Sequence, residues 1–335
     1  MARRRDPVEE GADEGRDLYD VAGWERRTAL DRLAALVYRL LLLAGRVAVV
    51  LAALGILVVQ VALGGLSAAE TDPRVVAMVV LSVVPALLLA AYVWRSDVTE
   101  RQPAGLLVAT FLLGVLFAMF AAVVNGLFQP AFGTLGVVGV PLYFYLVVAP
   151  VEETVKLLAV RLHAFQRFES VVDGAVYGAA AGLGFATIEN YPYITRTVAA
   201  SDADVALVGA AGGIAAVRAL AGPGHVIYSS LAGYYLGLAR FNRENAGPIV
   251  VKGLLLAAFV HGSYNVLVTP VSGLLGAAIA WGDGPWAGYV AFVVAYDGLL
   301  GLMLYRKLRR YGRAYRETAP TAGEPMALES GDVDP

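Results

Sequence analysis

Eight stretches of mostly apolar residues, each long enough to cross a bilayer, dominate this chain. They fall at 40–64, 74–94, 104–127, 137–160, 171–190, 222–240, 249–268 and 286–305. A helix needs about 20 apolar residues to span the hydrocarbon core. In that medium only a helix or a closed barrel satisfies its own backbone. Runs of this length read as helices, so the expected fold is all-α, a polytopic transmembrane bundle. Composition agrees: of 335 residues, 58% are hydrophobic and 16% are charged, against about 25% charged in a soluble domain.

A ninth apolar piece, 205–221, is shorter, holds Gly209, Gly212 and Gly213, and carries Arg218. The positive-inside rule decides how to count it. Suppose the first run crosses from inside to outside. The inner side then receives the Arg-rich N-terminus, Arg95 and Arg101, Arg161 and Arg167, Arg240 and Arg243, and the cluster from Arg306 to Arg316. The outer loops hold only Arg74 and Arg196. If 205–221 crossed as well, Arg240, Arg243 and the C-terminal cluster would land on the wrong side. About eight spanning helices are therefore expected, with 205–221 a partial or re-entrant helix on the outer side.

The expected division is a polar cytosolic tail over 1–32, a helical bundle over 33–305 with its catalytic core at 137–268, and a basic, then disordered, cytosolic tail over 306–335. Both termini are expected in the cytoplasm of a multi-pass cell-membrane protein. Residues 1–32 lack the short apolar core and small-residue site of a signal peptide. Trp24 to Leu36 is expected as a short amphipathic helix on the membrane surface.

The absence of cysteine excludes disulfides, thiol nucleophiles and thiolate metal sites. Any metal must be held by His, Asp, Glu or Asn, and the histidines are only His163, His225 and His261.

The run 137–160 contains Glu152, Glu153 and Lys156. One charge at mid-membrane costs on the order of 3 kcal/mol, so three must face protein or a wet cavity. Lys156 lies at i+4 from Glu152 and i+3 from Glu153, within reach of both. Adjacent carboxylates in a low dielectric repel, which favours one protonated form and suits proton transfer. Pro150 is expected to kink the helix and open room at the pair. The competing reading is a buried ion pair that holds the bundle together.

Three further polar groups lie in later runs. Glu189-Asn190 ends the fifth run, and a Glu-Asn at a helix end is usually a solvated terminus. His225 follows Gly222-Pro223-Gly224, with Ser229 at i+4 on the same face. His261 and Asn265 are also i, i+4. A lone intramembrane histidine is often a packing residue; two, with two glutamate sites, are harder to explain that way. Two histidines with one or two carboxylates suit zinc with an open position. Equally, the histidines could donate to an oxyanion while a glutamate activates water. In the fifth run Gly174, Gly178 and Gly182 recur every four residues, a pattern that lets membrane helices approach closely.

The absence of HExxH excludes the site-2-protease zinc pattern, and neither the aspartyl GxGD pattern nor a rhomboid serine elbow is present. Glu, Lys and His inside a membrane also suit the proton relay of a transporter, although no inverted repeat is evident. A non-catalytic binding or immunity-type membrane factor is the other alternative.

Taken in order, Glu152-Glu153-x-x-Lys156, Phe185-x-x-x-Glu189-Asn190, His225-x-x-x-Ser229-x-x-x-Gly233 and His261-x-x-x-Asn265 resemble the four motifs of the PrsW family of membrane proteases. That family is distantly similar to CAAX prenyl endopeptidases and bacteriocin-immunity-type proteins. The block from Asp173-Gly174 to Asn190 resembles the family's most recognisable helix. The CAAX-type relatives carry Arg where this chain has Asn190, so the PrsW branch is the nearer match. The resemblance covers about 150–268. It implies an endopeptidase acting on membrane-anchored proteins, such as anti-sigma factors, within the lipid bilayer and with no nucleic-acid partner. It further implies that Glu152 and Glu153 hold or activate water, and that Lys156 positions them. His225 and His261 would be metal ligands or oxyanion stabilisers, with Asn265 as their partner. Glu189 would be a further ligand or orienting group, with Asn190 beside it in the catalytic set. Any metal held there would be zinc.

Overall fold

The computed structural model describes residues 6–13, 15–41, 73–99, 102–199, 206–279 and 284–318. Helix α1 is a single turn, Pro7–Glu10, and α2 occupies 29–41. Helices α3 (Pro73–Arg95) and α4 (Ala104–Gly133) follow. Then α5 (Gly139–Tyr143) runs through a π turn, Phe144–Val148, into α6 (Ala149–His163). The remaining helices are α7 (Val171–Ala199), α8 (Ala206–Phe241), α9 (Ala246–Ala278) and α10 (Gly284–Thr318). The protein is all-helical among its described residues, and six helices are long and apolar enough to cross a membrane. The expected first span, 40–64, falls almost entirely on residues outside the described ones, as does the expected disordered end of the C-terminal tail.

Two expectations need correction. Residues 205–221 do not form a separate re-entrant helix: residues 206–221 are the first half of α8, which continues through Pro223 to Phe241. Second, α7 does not end at Glu189-Asn190. It continues to Ala199, which puts both residues inside the helix.

Helices α7 and α8 form the centre. In α7, 89% of the most apolar window is buried, against 33% or less in the other five spanning helices. The glycine stripe accounts for the packing. A Cβ on Gly174, Gly178 or Gly182 would overlap the carbonyl oxygen of Gly233, Ser229 or His225 respectively. The two backbones therefore touch over more than two turns, as small residues at four-residue spacing permit. Around this pair, α3 packs on both, α4 on α7, α9 on α8, and α10 on α9. Helix α6 is wedged among α4, α7, α8 and α9. Pro150 lies in the first turn of α6, and the local disturbance is the π turn just before it, a feature frequent at functional sites.

The N-terminal segment docks on the end of the bundle where α9 begins and α10 finishes. A capping box opens α2: Asp31 Oδ2 accepts from Thr28 N–H at 2.7 Å, and Thr28 Oγ1 accepts from Asp31 N–H at 3.1 Å. The expected helix from Trp24 thus begins only at residue 29, and Trp24 itself is buried. Lys252 of α9 pairs with Asp31 at 2.8 Å and Asp20 at 3.2 Å, and Lys307 of α10 pairs with Asp20 at 2.7 Å. Burial alone would raise the Asp31 carboxyl, but Lys252, Tyr19 and Thr28 outweigh it and hold Asp31 below the usual carboxylate range. Asp6 is fully buried, accepting from Tyr311 Oη at 2.9 Å and from Val171 N–H, the start of α7, at 3.2 Å. Burial outweighs these hydrogen bonds and pushes the Asp6 carboxyl up to about 6.

Candidate active site

The site begins with a buried cation. Lys156 is fully buried on α6. Its Nζ donates to Glu153 Oε1 at 2.7 Å and to His225 Nδ1 at 3.0 Å. It also lies 3.7 Å from Glu152 Oε2 and 4.1 Å from the centre of the Phe185 ring. Ammonium only donates, so His225 Nδ1 is an acceptor and the ring hydrogen sits on Nε2. That nitrogen faces Glu189 Oε2 at 2.8 Å.

His261 has the opposite tautomer. Its Nδ1 stands 2.9 Å from Glu153 Oε1, so Nδ1 donates and Nε2 keeps a free lone pair. Nε2 lies 3.8 Å from Glu152 Oε2. The two imidazoles meet edge to face at 5.4 Å. Glu152 Oε1 accepts from Asn125 Nδ2 at 3.1 Å, while Oε2 is buried without a hydrogen-bond partner among the described residues. Such an orphan is costly unless something else fills the position.

Glu152, His225 and His261 form a group whose ligand atoms all lie within 4.8 Å of one another. All three are buried. They line a cavity of about 1650 Å³, together with Glu189, Asn265 and Asn125. Donor chemistry, spacing and the orphaned oxygen all fit a divalent cation with room for water.

The other expected site residues are placed as follows. Glu153 and Lys156 are fully buried and absent from the cavity wall. Glu153 Oε1 accepts from His261 Nδ1 and from Lys156 Nζ. Asn265 lines the cavity one turn beyond His261, whose Nδ1 is taken by Glu153. Asn190 is turned away from the cavity: its Oδ1 accepts from Arg218 Nε at 2.7 Å, and its Nδ2 donates to Ser82 Oγ at 2.8 Å. Sequence reasoning did not place Asn125 or Arg218 in the site. Each is a lone polar residue in an apolar run, and that is the only signal the sequence offers.

Comparison with known proteins bears on the same residues. A family model described as "PrsW family intramembrane metalloprotease" matches residues 102–299. Protease PrsW of Bacillus subtilis (strain 168) is 28% identical over 202 residues, covering 58% of this chain and 84% of the relative. Protease PrsW of Geobacillus kaustophilus (strain HTA426) is 29% identical over 189 residues, 56% of this chain and 77% of the relative. That of Clostridioides difficile (strain 630) is 26% identical over 196 residues, 56% and 77%. No solved structure matches. With the matched region spanning the helices that carry every residue of the site, this chain belongs to the PrsW family of intramembrane metalloproteases.

Proposed function

We propose that this multi-pass membrane protease cuts membrane-anchored protein substrates with water activated by glutamate, and that zinc is its metal. The observation that carries the proposal is the buried Glu152–His225–His261 group, with a Glu152 oxygen that accepts no hydrogen bond among the described residues, opening on a cavity. These three residues would hold the cation. A bound divalent cation supplies Lewis-acid polarisation of a carbonyl and lowers the pKa of water.

The protein's own groups do the rest. Glu189, a quarter exposed at the cavity wall, takes the proton from water at a carboxylate oxygen and returns it to the leaving amine. Glu153 holds the His261 tautomer, and Lys156 offsets the charge of the carboxylates beside it. Asn125 and Asn265 can donate hydrogen bonds to a carbonyl as charge develops on its oxygen. Both ring nitrogens of His225 are hydrogen-bonded, so His225 gives up one of those bonds to become a ligand. The proposed core is 137–268. The arginine distribution supports cytoplasmic termini in the cell membrane and a cavity that opens on the other side. An anti-sigma-factor-like protein is the proposed kind of substrate.

The test uses purified full-length protein in lipid with a membrane-anchored reporter. Glu152→Gln, His225→Ala and His261→Ala, made separately, should each reduce cleavage at least about a hundredfold. Wild-type rates in all three would end the proposal. Chelation that abolishes cleavage, restored by zinc, supports the metal; activity indifferent to chelation in a metal-free preparation would favour the histidines as oxyanion donors.

A further inference from the structure

Arg218 lies on α8 two turns before His225 and is almost fully buried, 9% exposed. Its guanidinium forks across two neighbouring residues of α7. Nε donates to Asn190 Oδ1 at 2.7 Å, and Nη2 donates to Glu189 Oε2 at 2.9 Å. The group also lies over the Tyr193 ring, 4.4 Å from its centre. The same Glu189 oxygen stands 2.8 Å from His225 Nε2. Behind the fork, Asn190 is fastened to Ser82 of α3 at 2.8 Å. A continuous chain of hydrogen bonds thus runs from α3 through Asn190, Arg218 and Glu189 to His225.

A planar guanidinium can serve two acceptors at fixed angles; an ammonium is a compact point charge and lacks that fork. Without Arg218, Glu189 would keep only the His225 bond, at a cavity wall where a carboxylate can turn toward water. We propose that Arg218 is a positioning residue of the active site: its fork between Asn190 and Glu189 aims the Glu189 carboxylate at His225 and keeps it anchored when His225 turns to another partner. This assigns Asn190 a role as well. It orients the arginine and need not touch substrate. The effect on turnover rests on the peptidase reading; the effect on His225 does not.

Metal-free, full-length protein labelled with 15N-histidine tests the effect on His225, and the same protein reloaded with zinc tests the effect on turnover. The chain has only three histidines, so the ring nitrogens of each can be followed separately. In the wild type, His225 should show the Nε2–H tautomer and His261 the Nδ1–H tautomer. R218Q should shift the His225 ring nitrogens and leave those of His261 and His163 in place, with R218K intermediate. Unmoved His225 signals in R218Q overturn the proposal whatever the activity. In turnover, R218Q should lower kcat about 10–100-fold with KM changed less than about twofold. The double variant R218Q/E189Q should be no slower than E189Q, because one residue acts through the other; losses that multiply would overturn it. If R218Q does not fold, N190A, which frees one side of the fork, replaces it in both measurements with the same criteria. If the wild type cuts nothing while R218Q still shifts His225, the peptidase reading fails and the positioning role stands.

Discussion

Glu153 of α6 and His261 of α9 are joined by a 2.9 Å hydrogen bond to Nδ1. The bond leaves the other ring nitrogen directed at Glu152. The same Glu153 oxygen accepts from Lys156 at 2.7 Å. One fully buried carboxylate therefore sets the tautomer of one imidazole and neutralises the cation that sets the tautomer of the other.

Glu153→Gln keeps the shape and removes the charge. Lys156 then loses its nearest counter-charge in the interior, a change that typically destabilises by about 3–5 kcal/mol. Affinity for the proposed zinc should fall about 10–100-fold. Thermal melting and zinc titration of the full-length protein check both; affinity within twofold of wild type would contradict the role given to Glu153.

Gly178→Ala and Gly182→Ala each place a methyl group where the α8 backbone already stands. Overpacking of this kind costs about 1–3 kcal/mol, so both should lower the melting temperature. Gly182 faces the His225 carbonyl and Gly178 that of Ser229. Gly182→Ala should therefore lose more activity at equal loss of stability. Equal losses of activity in matched melting and cleavage assays would show that His225 is not displaced.

Lys252→Met leaves Asp31 buried without its 2.8 Å partner and takes one of two lysines from Asp20. Breaking such a pair costs about 3–5 kcal/mol. The N-terminal segment should come off the bundle more often, and a protease added to the purified protein should cut within 15–28 at least tenfold faster. An unchanged cutting rate would mean that packing of Trp24 and Val21 holds the segment unaided.

Asp6 predicts a pH dependence with a definite sign. Its carboxyl ionises near 3.8 when free and near 6 when docked. Between those values the docked form binds the extra proton. Docking is therefore strongest below pH 4, weakens as pH rises to 6, and levels off above it. The full change is about 3 kcal/mol at most. Hydrogen exchange of residues 6–13, corrected for intrinsic rates, should show protection falling across that window in the wild type. In Asp6→Asn the profile should be flat.

Much of this was legible in the sequence, and the reasons are local. A run of apolar residues in a membrane must close its backbone hydrogen bonds within the segment, so the all-helical fold of the described residues could be read from the sequence. The four-residue spacing of Gly174, Gly178 and Gly182 announced a close neighbour, which is α8. Of the residues at the cavity, Glu152, His225 and His261 stood out because a polar group in hydrocarbon needs a reason to be there.

Other features depended on partners distant in the chain. Arg218, with the glycines and short length of 205–221, made that piece look unfit to belong to a core helix, because hydropathy cannot see that Glu189 and Asn190 bind the arginine from α7. Glu189-Asn190 looked like a solvated helix end, because polarity marks a terminus and a buried site alike.

By itself the sequence determined that the chain is a helical membrane protein with acids and imidazoles in its interior. Only the tertiary structure decided where each acid sits. Adjacent residues on a helix point about 100° apart, so nothing in Glu152-Glu153 says which one meets the cavity. The positions of α8 and α9 settle that, turning Glu152 toward the cavity and leaving Glu153 to Lys156 and His261.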